Sequence, residues 1–256
     1  MTQAPNFQGI HNFRDYGGYS AAGGKVRRGV LYRSGQHVAA TDGDLAELAA
    51  LDIRTVIDLR GIAEREMHPC RRHEGWAGEV VAHDGSTTSS PPHMDIGPEV
   101  TTADYARDRM LQVYTRMPEN PAMQAMFGRY LHALADRDGA SLVHCFAGKD
   151  RTGMAVTLLL HIVGVSEDDQ VREFLLTNES PTFHILRAQS IPVMEKRLGR
   201  TMDEASVRAM LDVHEDYFAR FHLVARQTHG SLDDWLNQAV GVDDTLRMNL
   251  RDKFVA

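Results

Sequence analysis

The chain has 256 residues, 43% hydrophobic and 25% charged, a globular composition long enough to bury a sizeable core as one large domain. Its 28 Lys and Arg against 35 Asp and Glu leave a formal charge of −7, which argues against a general binder of nucleic acid or anionic membrane, because neither polyanion is attracted over long range. The opening residues lack a cationic segment followed by an apolar one, no stretch of about 18 apolar residues occurs, and Cys70 and Cys145 are too few for a disulfide framework; the expectation is a soluble, cytoplasmic protein with no integral membrane association.

Taken in order, Thr41 ahead of Leu45, Leu48 and Leu51 predicts a short amphipathic helix with a threonine N-cap. The run IRTVIDLR (53–60) alternates like a strand, with Ile53, Thr55, Ile57 and Leu59 on one face, and EVVAH (79–83) is a weaker strand. Residues 83–98, rich in Ser, Thr, Pro and Gly, are expected to form a loop. Asn120-Pro121 opens a helix whose apolar face carries Met123, Met126, Phe127, Tyr130, Leu131 and Leu134. Asp138-Gly139 ends it and leads to a strand from Ser141 to His144. Residues 154–163 are apolar nearly all round, as in a buried central helix, with Gly164 as its C′ residue. Further helices are predicted from Glu167 with Ser166 as cap, a long one from the capping box Thr201–Glu204, and two short ones after Ser231 and Asp243. This is an α/β pattern, a central sheet flanked by helices with a helical C-terminal third.

The chemistry concentrates in LVHCFAGKDRTGM (142–154), where Cys145 stands between the end of a strand and the start of the buried helix, six positions before Arg151. Such a junction is a prepared anion site, since unpaired amides and the positive end of the helix dipole face it. Small residues, Ala147 and Gly148, let the amides from Phe146 to Lys149 converge on one oxyanion. The same field favours the thiolate of a cysteine placed there. Arg151 can grip two phosphate oxygens, and Thr152 can hydrogen-bond the sulfur. A nucleotide-binding loop fits badly, because Gly148-Lys149 is followed by Asp150 rather than Ser or Thr.

The stretch HCFAGKDRTG (144–153) resembles the Cys-x5-Arg-Ser/Thr signature of cysteine-dependent phosphatases, in the form carried by a bacterial tyrosine-phosphatase-like family. NFRDYGGY (12–19), GVLYRSGQ (29–36), IRTVIDLR (53–60) and GVDD near the C-terminus follow in the family's order, so the resemblance covers nearly the whole chain. It implies a tyrosine-phosphatase-like fold in a single phosphatase domain over 1–256, with any lid or insertion element within 84–118 or 166–227. It also implies a cysteinyl-phosphate mechanism with no metal and no cofactor, participation of Lys149 and Asp150, and substrates that are phosphorylated proteins, lipid headgroups or small molecules, phosphotyrosine and phosphoinositides among them.

A leaving oxygen needs a proton, and the Trp-Pro-Asp loop of eukaryotic tyrosine phosphatases is missing. Asp58, near the end of its strand on the rim shared with Cys145, matches the aspartate of the family's DLR motif and is the first candidate acid; Asp150 is its rival and Asp84 a distant third. Asp58 could instead orient Arg60 or Arg151, because cationic neighbours lower a carboxylate pKa. His68, Cys70 and His73 are crowded like metal ligands but lack a fourth, and a solvated segment is expected there. NFRDYGGY is expected to shape a turn through Gly17 and Gly18 and is assigned no chemistry. A phosphate-binding module that does not turn over and a sulfurtransferase are the alternative readings of the loop.

Overall fold

Two kinds of strand build the sheet: central ones buried on both faces and short edges that only complete the hydrogen bonding. The computed structural model describes residues 7–84 and 102–256. The first part contains β1 (Arg14–Asp15), the small hairpin β2 (Ser20–Ala21) and β3 (Gly24–Lys25), β4 (Leu31–Ser34), α1 (Asp42–Ala50), β5 (Ile53–Asp58), α2 (Ile62–Met67) and β6 (Glu79–Ala82). The second contains α3 (Ala103–Arg116), α4 (Pro121–Asp136), β7 (Ala140–His144), α5 (Asp150–Ile162), α6 (Glu167–Leu175), α7 (Phe183–Leu198), α8 (Glu204–Leu211), α9 (Glu215–His229), α10 (Leu232–Trp235) and α11 (Asp244–Phe254). The main sheet runs in the order β1-β4-β7-β5-β6, with β1 antiparallel to β4 and every other pair parallel.

Because the parallel strands lie between apolar layers, neighbouring residues of one strand serve different cores. Leu31, Ile57 and Val143 join the large cluster with α3 to α6, α8, α9 and α11, whereas Tyr32, Val56 and Leu142 join a smaller one with Phe7, Ile10, Leu45 and Leu48. Ile53 packs with Val56 in the smaller cluster and not with Ile57 as the alternation suggests, since a register irregularity between Ile53 and Thr55 turns the strand by one residue.

Local signals set most boundaries. Thr41 caps α1 in a capping box with Asp44, Asn120 accepts from the Ala122 and Met123 amides ahead of α4, and Ser166, Ser231 and Asp243 cap α6, α10 and α11. The α5 helix is buried all round, and Gly164 follows it at φ 84°. The predicted Thr201 box is corrected: Asp203 is the N-cap, its Oδ1 accepting from Ser206 N at 2.7 Å, and the helix it opens is short, ending at Leu211. The α7 helix escapes prediction because Thr182 makes no side-chain cap and Pro192 lies inside it. Of the loop expected at 83–98, residues 85–98 lie outside the described residues; of the 84–118 segment, Ala103 to Arg116 is helix α3, packed into the large core through Ala106, Met110 and Tyr114. Among the described residues no helix is long and apolar enough to cross a membrane.

His222, 2% exposed, stacks on Phe218 at 4.1 Å between centroids, and neither ring nitrogen has a hydrogen-bond partner among the described residues. Burial, helped by Arg226, pushes its pKa down to about 3. The unfolded chain binds a proton here near pH 6.5 and the folded chain does not until about pH 3, so stability is lost as pH falls through that window. His222→Leu should therefore gain about 2 kcal/mol relative to wild type between pH 7 and pH 5. Denaturant unfolding at the two values measures this; parallel pH slopes would show that the imidazole is not held neutral.

Candidate active site

The strand β7 delivers Cys145 to the C-terminal edge of the sheet, and the chain turns through Phe146 to Lys149 into α5. Gly148 makes this turn possible: its φ is 66°, and a Cβ there would stand 2.4 Å from the Ser34 carbonyl group. The loop rests on the segment after β4, where Gln36 N donates to Phe146 O at 2.9 Å. The first ladder bond of the helix runs from Gly153 N to Lys149 O at 2.8 Å, and Lys149 as N-cap supplies no side-chain bond, so the preceding amides are left without an intrahelical partner. Cys145, Lys149, Asp150 and Arg151 are all buried, while Phe146 and Ala147 are half-buried.

Arg151 is held by a carboxylate that sequence reasoning missed. Its Nη1 and Nη2 donate to Glu64 Oε2 and Oε1 at 2.6 and 2.9 Å, and Nη1 also reaches Leu59 O at 3.4 Å. Burial works against the Arg151 charge, but the Glu64 fork and the neighbouring Cys145 raise its pKa above the ordinary value. The signal lay in position: Glu64 sits in the first turn of α2, just past the strand end that carries Asp58, and its Oε2 accepts from Gly61 N at 3.0 Å.

Asp58 lies level with His144 across the β5/β7 pair, hence on the rim beside Cys145. It is 2% exposed and accepts from Arg60 Nε at 2.9 Å, Nη2 at 2.7 Å and the Arg60 amide at 3.1 Å. Burial opposes its ionisation, yet His144 and this fork draw its carboxyl down to about 2. Burial also holds His144 down to about 4, so at neutral pH the guanidinium is the partner that keeps Asp58 charged. A carboxylate so held has no proton to give.

The other two charged side chains of the loop face the helical layer. Asp150 Oδ1 accepts from Tyr114 Oη of α3 at 2.5 Å, and Lys149 Nζ donates to Met210 O at the end of α8 at 2.7 Å while standing 3.6 Å from Asp150 Oδ1. Thr152 Oγ1 is buried and makes no hydrogen bond among the described residues, so its expected bond to the cysteine sulfur is not formed in this structure. Behind the loop, Asn12 and Arg33 both donate to the Gly148 carbonyl, which gives the NFRDYGGY and GVLYRSGQ stretches a role beyond turn-making. The segment around Cys70 is likewise more than solvated surface: Cys70 is half-buried, and its Sγ accepts from His37 N and from Arg60 Nη2, both at 3.2 Å. Asp58, Cys70 and His144 offer ligand atoms within 4.8 Å of one another, but the Arg60 guanidinium already supplies the cation there. Asp84 pairs with Arg65 at 3.5 Å and is not drawn to the loop by any contact of the described residues.

The sheet, the loop and its flanking helix are those the sequence resemblance leads one to expect, and a model of the tyrosine phosphatase family matches residues 5–256: the chain belongs to that family. Among its relatives, it is 31% identical over 250 residues to a Cupriavidus necator protein named "Putative tyrosine-protein phosphatase", covering 93% of this chain and 84% of that one. It is 27% identical over 264 residues to the triple specificity protein phosphatase PtpB of Mycobacterium tuberculosis, covering 90% and 92%.

The Glu64 fork predicts a kinetic effect. Glu64→Gln keeps the size of the side chain but removes the charge that aligns Arg151, and kcat on an aryl phosphate should fall about 10- to 100-fold, with Cys145 still alkylated by iodoacetate. Steady-state rates would check it; an unchanged kcat would mean that Arg151 is oriented without Glu64.

Proposed function

We propose that this chain hydrolyses phosphate monoesters through a cysteinyl-phosphate intermediate, with phosphotyrosine-type aryl phosphates as its first substrate class. The observation that supports this most is the coincidence of a buried cysteine, a loop curled through Gly148 and an arginine held in a bidentate fork, all at the start of one buried helix. Cys145 as thiolate attacks phosphorus and the bond from phosphorus to the leaving oxygen breaks. Arg151 and the loop amides from Phe146 to Thr152 hold the phosphoryl oxygens and take the role a metal plays in other phosphatases. Water then attacks phosphorus, the sulfur–phosphorus bond breaks, and inorganic phosphate leaves.

The proton for the leaving oxygen is assigned to Asp150 rather than Asp58. Asp58 is committed to Arg60, whereas Asp150 belongs to the phosphate loop itself and has no guanidinium fork on it among the described residues, its Oδ1 accepting from Tyr114 Oη. After the first step the Asp150 carboxylate takes a proton from the attacking water. Phosphoinositides belong to a second, narrower reading, which the second loop cation, Lys149 beside Arg151, favours. The Lys149 ammonium, engaged by Met210 O in this structure, would have to turn toward the extra phosphates.

Two experiments decide these assignments. Cys145→Ser should abolish turnover of an aryl phosphate while retaining vanadate binding, and EDTA should leave the wild-type rate unchanged; activity surviving the substitution, or chelation that stops the enzyme until zinc or magnesium is restored, contradicts the mechanism. Leaving-group dependence separates the acids. Asp150→Asn should lose about 10²–10⁴-fold on phosphotyrosine, whose phenol has a pKa of about 10, and far less on an aryl phosphate with an acidic leaving group. Asp58→Asn should affect both alike by loosening Arg60. The reverse pattern would return the acid to Asp58.

A further inference from the structure

The first motif of the chain and strand β4 meet the phosphate loop at one atom. Gly148 O accepts from Asn12 Nδ2 at 2.6 Å and from Arg33 Nη2 at 2.7 Å, so both of its lone pairs are engaged from the side away from solvent. Arg33 is fully buried and Asn12 is 2% exposed. Neither donor is idle elsewhere. Arg33 Nη1 pairs with Glu173 Oε1 of α6 at 3.1 Å, and Arg14 Nε meets the same oxygen at 2.8 Å. Arg14 also donates to Asn12 Oδ1, and Tyr19 Oη donates to Glu173 Oε2 at 2.9 Å. Burial, then the like charge of Arg14, lower the Arg33 pKa to about 10, which leaves it charged at neutral pH.

The peptide from Gly148 to Lys149 is trans, as no cis bond occurs among the described residues, and in a trans peptide N–H and C=O point opposite ways. Holding the Gly148 carbonyl at the back of the loop therefore turns the Lys149 N–H to the front. Left alone, this peptide is free to flip, because Gly148 at φ 66° has no Cβ to resist it. We propose that Asn12 and Arg33 are positioning residues that aim the Lys149 amide at the phosphoryl group by sharing the Gly148 carbonyl between them. The proposal rests on the phosphatase reading and assigns both residues to oxyanion recognition, which they serve without touching substrate.

Two donors on one acceptor predict redundancy. Asn12→Ala and Arg33→Met each leave one clamp, and Glu173 keeps Arg14 and Tyr19 when Arg33 is lost, so each should lower kcat on an activated aryl phosphate only about 3- to 10-fold. Together they release the peptide and remove one oxyanion donor, a loss of about 10²–10³-fold that exceeds the product of the singles. The dissociation constant for vanadate should rise in the same order. Asn12→Asp is the discriminating variant: it keeps the left-handed backbone at residue 12 (φ 55°) and an acceptor for Arg14, but sets an oxygen against Gly148 O. It should be at least as damaging as Asn12→Ala. All rates are taken well below each variant's melting temperature.

Wild-type kcat and vanadate affinity in Asn12→Asp, or a double variant no worse than the product of the singles, would overturn the proposal. Should the double variant fail to fold, the comparison of Asp with Ala at residue 12 still decides. A wild-type chain that neither hydrolyses the aryl phosphate nor binds vanadate refutes the phosphatase reading and this proposal together, whereas an active wild type with fully active Asn12 variants refutes this proposal alone.

Discussion

A guanidinium shut away from water must be paired, and Arg33, on strand β4 of the sheet, is such a group. Its needs organise the molecule around it. Glu173 comes from α6 to neutralise it, Arg14 shares that carboxylate, and Arg33 Nη2 meets the carbonyl of Gly148, while its Nε has no partner among the described residues. Buried ion pairs contribute little net stability against apolar packing of the same volume, because desolvating each ion costs several kcal/mol. What they impose is geometry: in the arrangement described, the Glu173 carboxylate answers Arg14, Arg33 and Tyr19 while the backbone of the loop is caught between Arg33 and Asn12.

A second pair of forks works at the rim. Asp58 with Arg60 and Glu64 with Arg151 both take their carboxylate from the seven residues that leave β5 and enter α2, yet the second guanidinium comes from α5. Arg60 is saturated, since beyond Asp58 it donates to His68 O, Gln36 Oε1 and the Cys70 sulfur, and it ties the segment after α2 to the sheet edge. Arg151 is gripped by Glu64 at its terminal nitrogens, at the loop where an anion would sit. The two guanidinia differ in how many acceptors surround each: Arg60 meets four groups and Arg151 meets Glu64 and the Leu59 carbonyl.

The helical layer reaches the same loop from the other side. Tyr114 of α3, stacked on Tyr217 of α9 at 5.3 Å, donates to Asp150, and the end of α8 accepts from Lys149. The partial negative charge of a helix C-terminus suits an ammonium. Lys149 and Asp150 are thus held by elements of the helical layer, so the state of that layer and the state of the loop are linked.

Much of this chain is legible without coordinates. Thr41, Asn120-Pro121, Ser166, Ser231 and Asp243 mark helix starts because an orphan amide is answered by a side chain a few residues away, and the all-apolar α5 can only be central. Cys145, Gly148 and Arg151 are legible for the same reason: the loop is one contiguous segment whose chemistry follows from being a strand end and a helix start. What sequence alone left open is who answers the charges. Glu64 and Arg151 are 87 residues apart, Asn12 and Gly148 136, and Arg33 and Glu173 140. Only the strand order β1-β4-β7-β5-β6 brings these pairs together. The same holds for Asp58, whose position on the rim was readable but whose ionised state was not, because a carboxylate's affinity for its proton depends on what stands a few ångströms away in space rather than along the chain. Local hydrogen bonding and apolar periodicity determined the elements and the loop that carries Cys145; the buried electrostatics, being non-local, were decided by the tertiary structure.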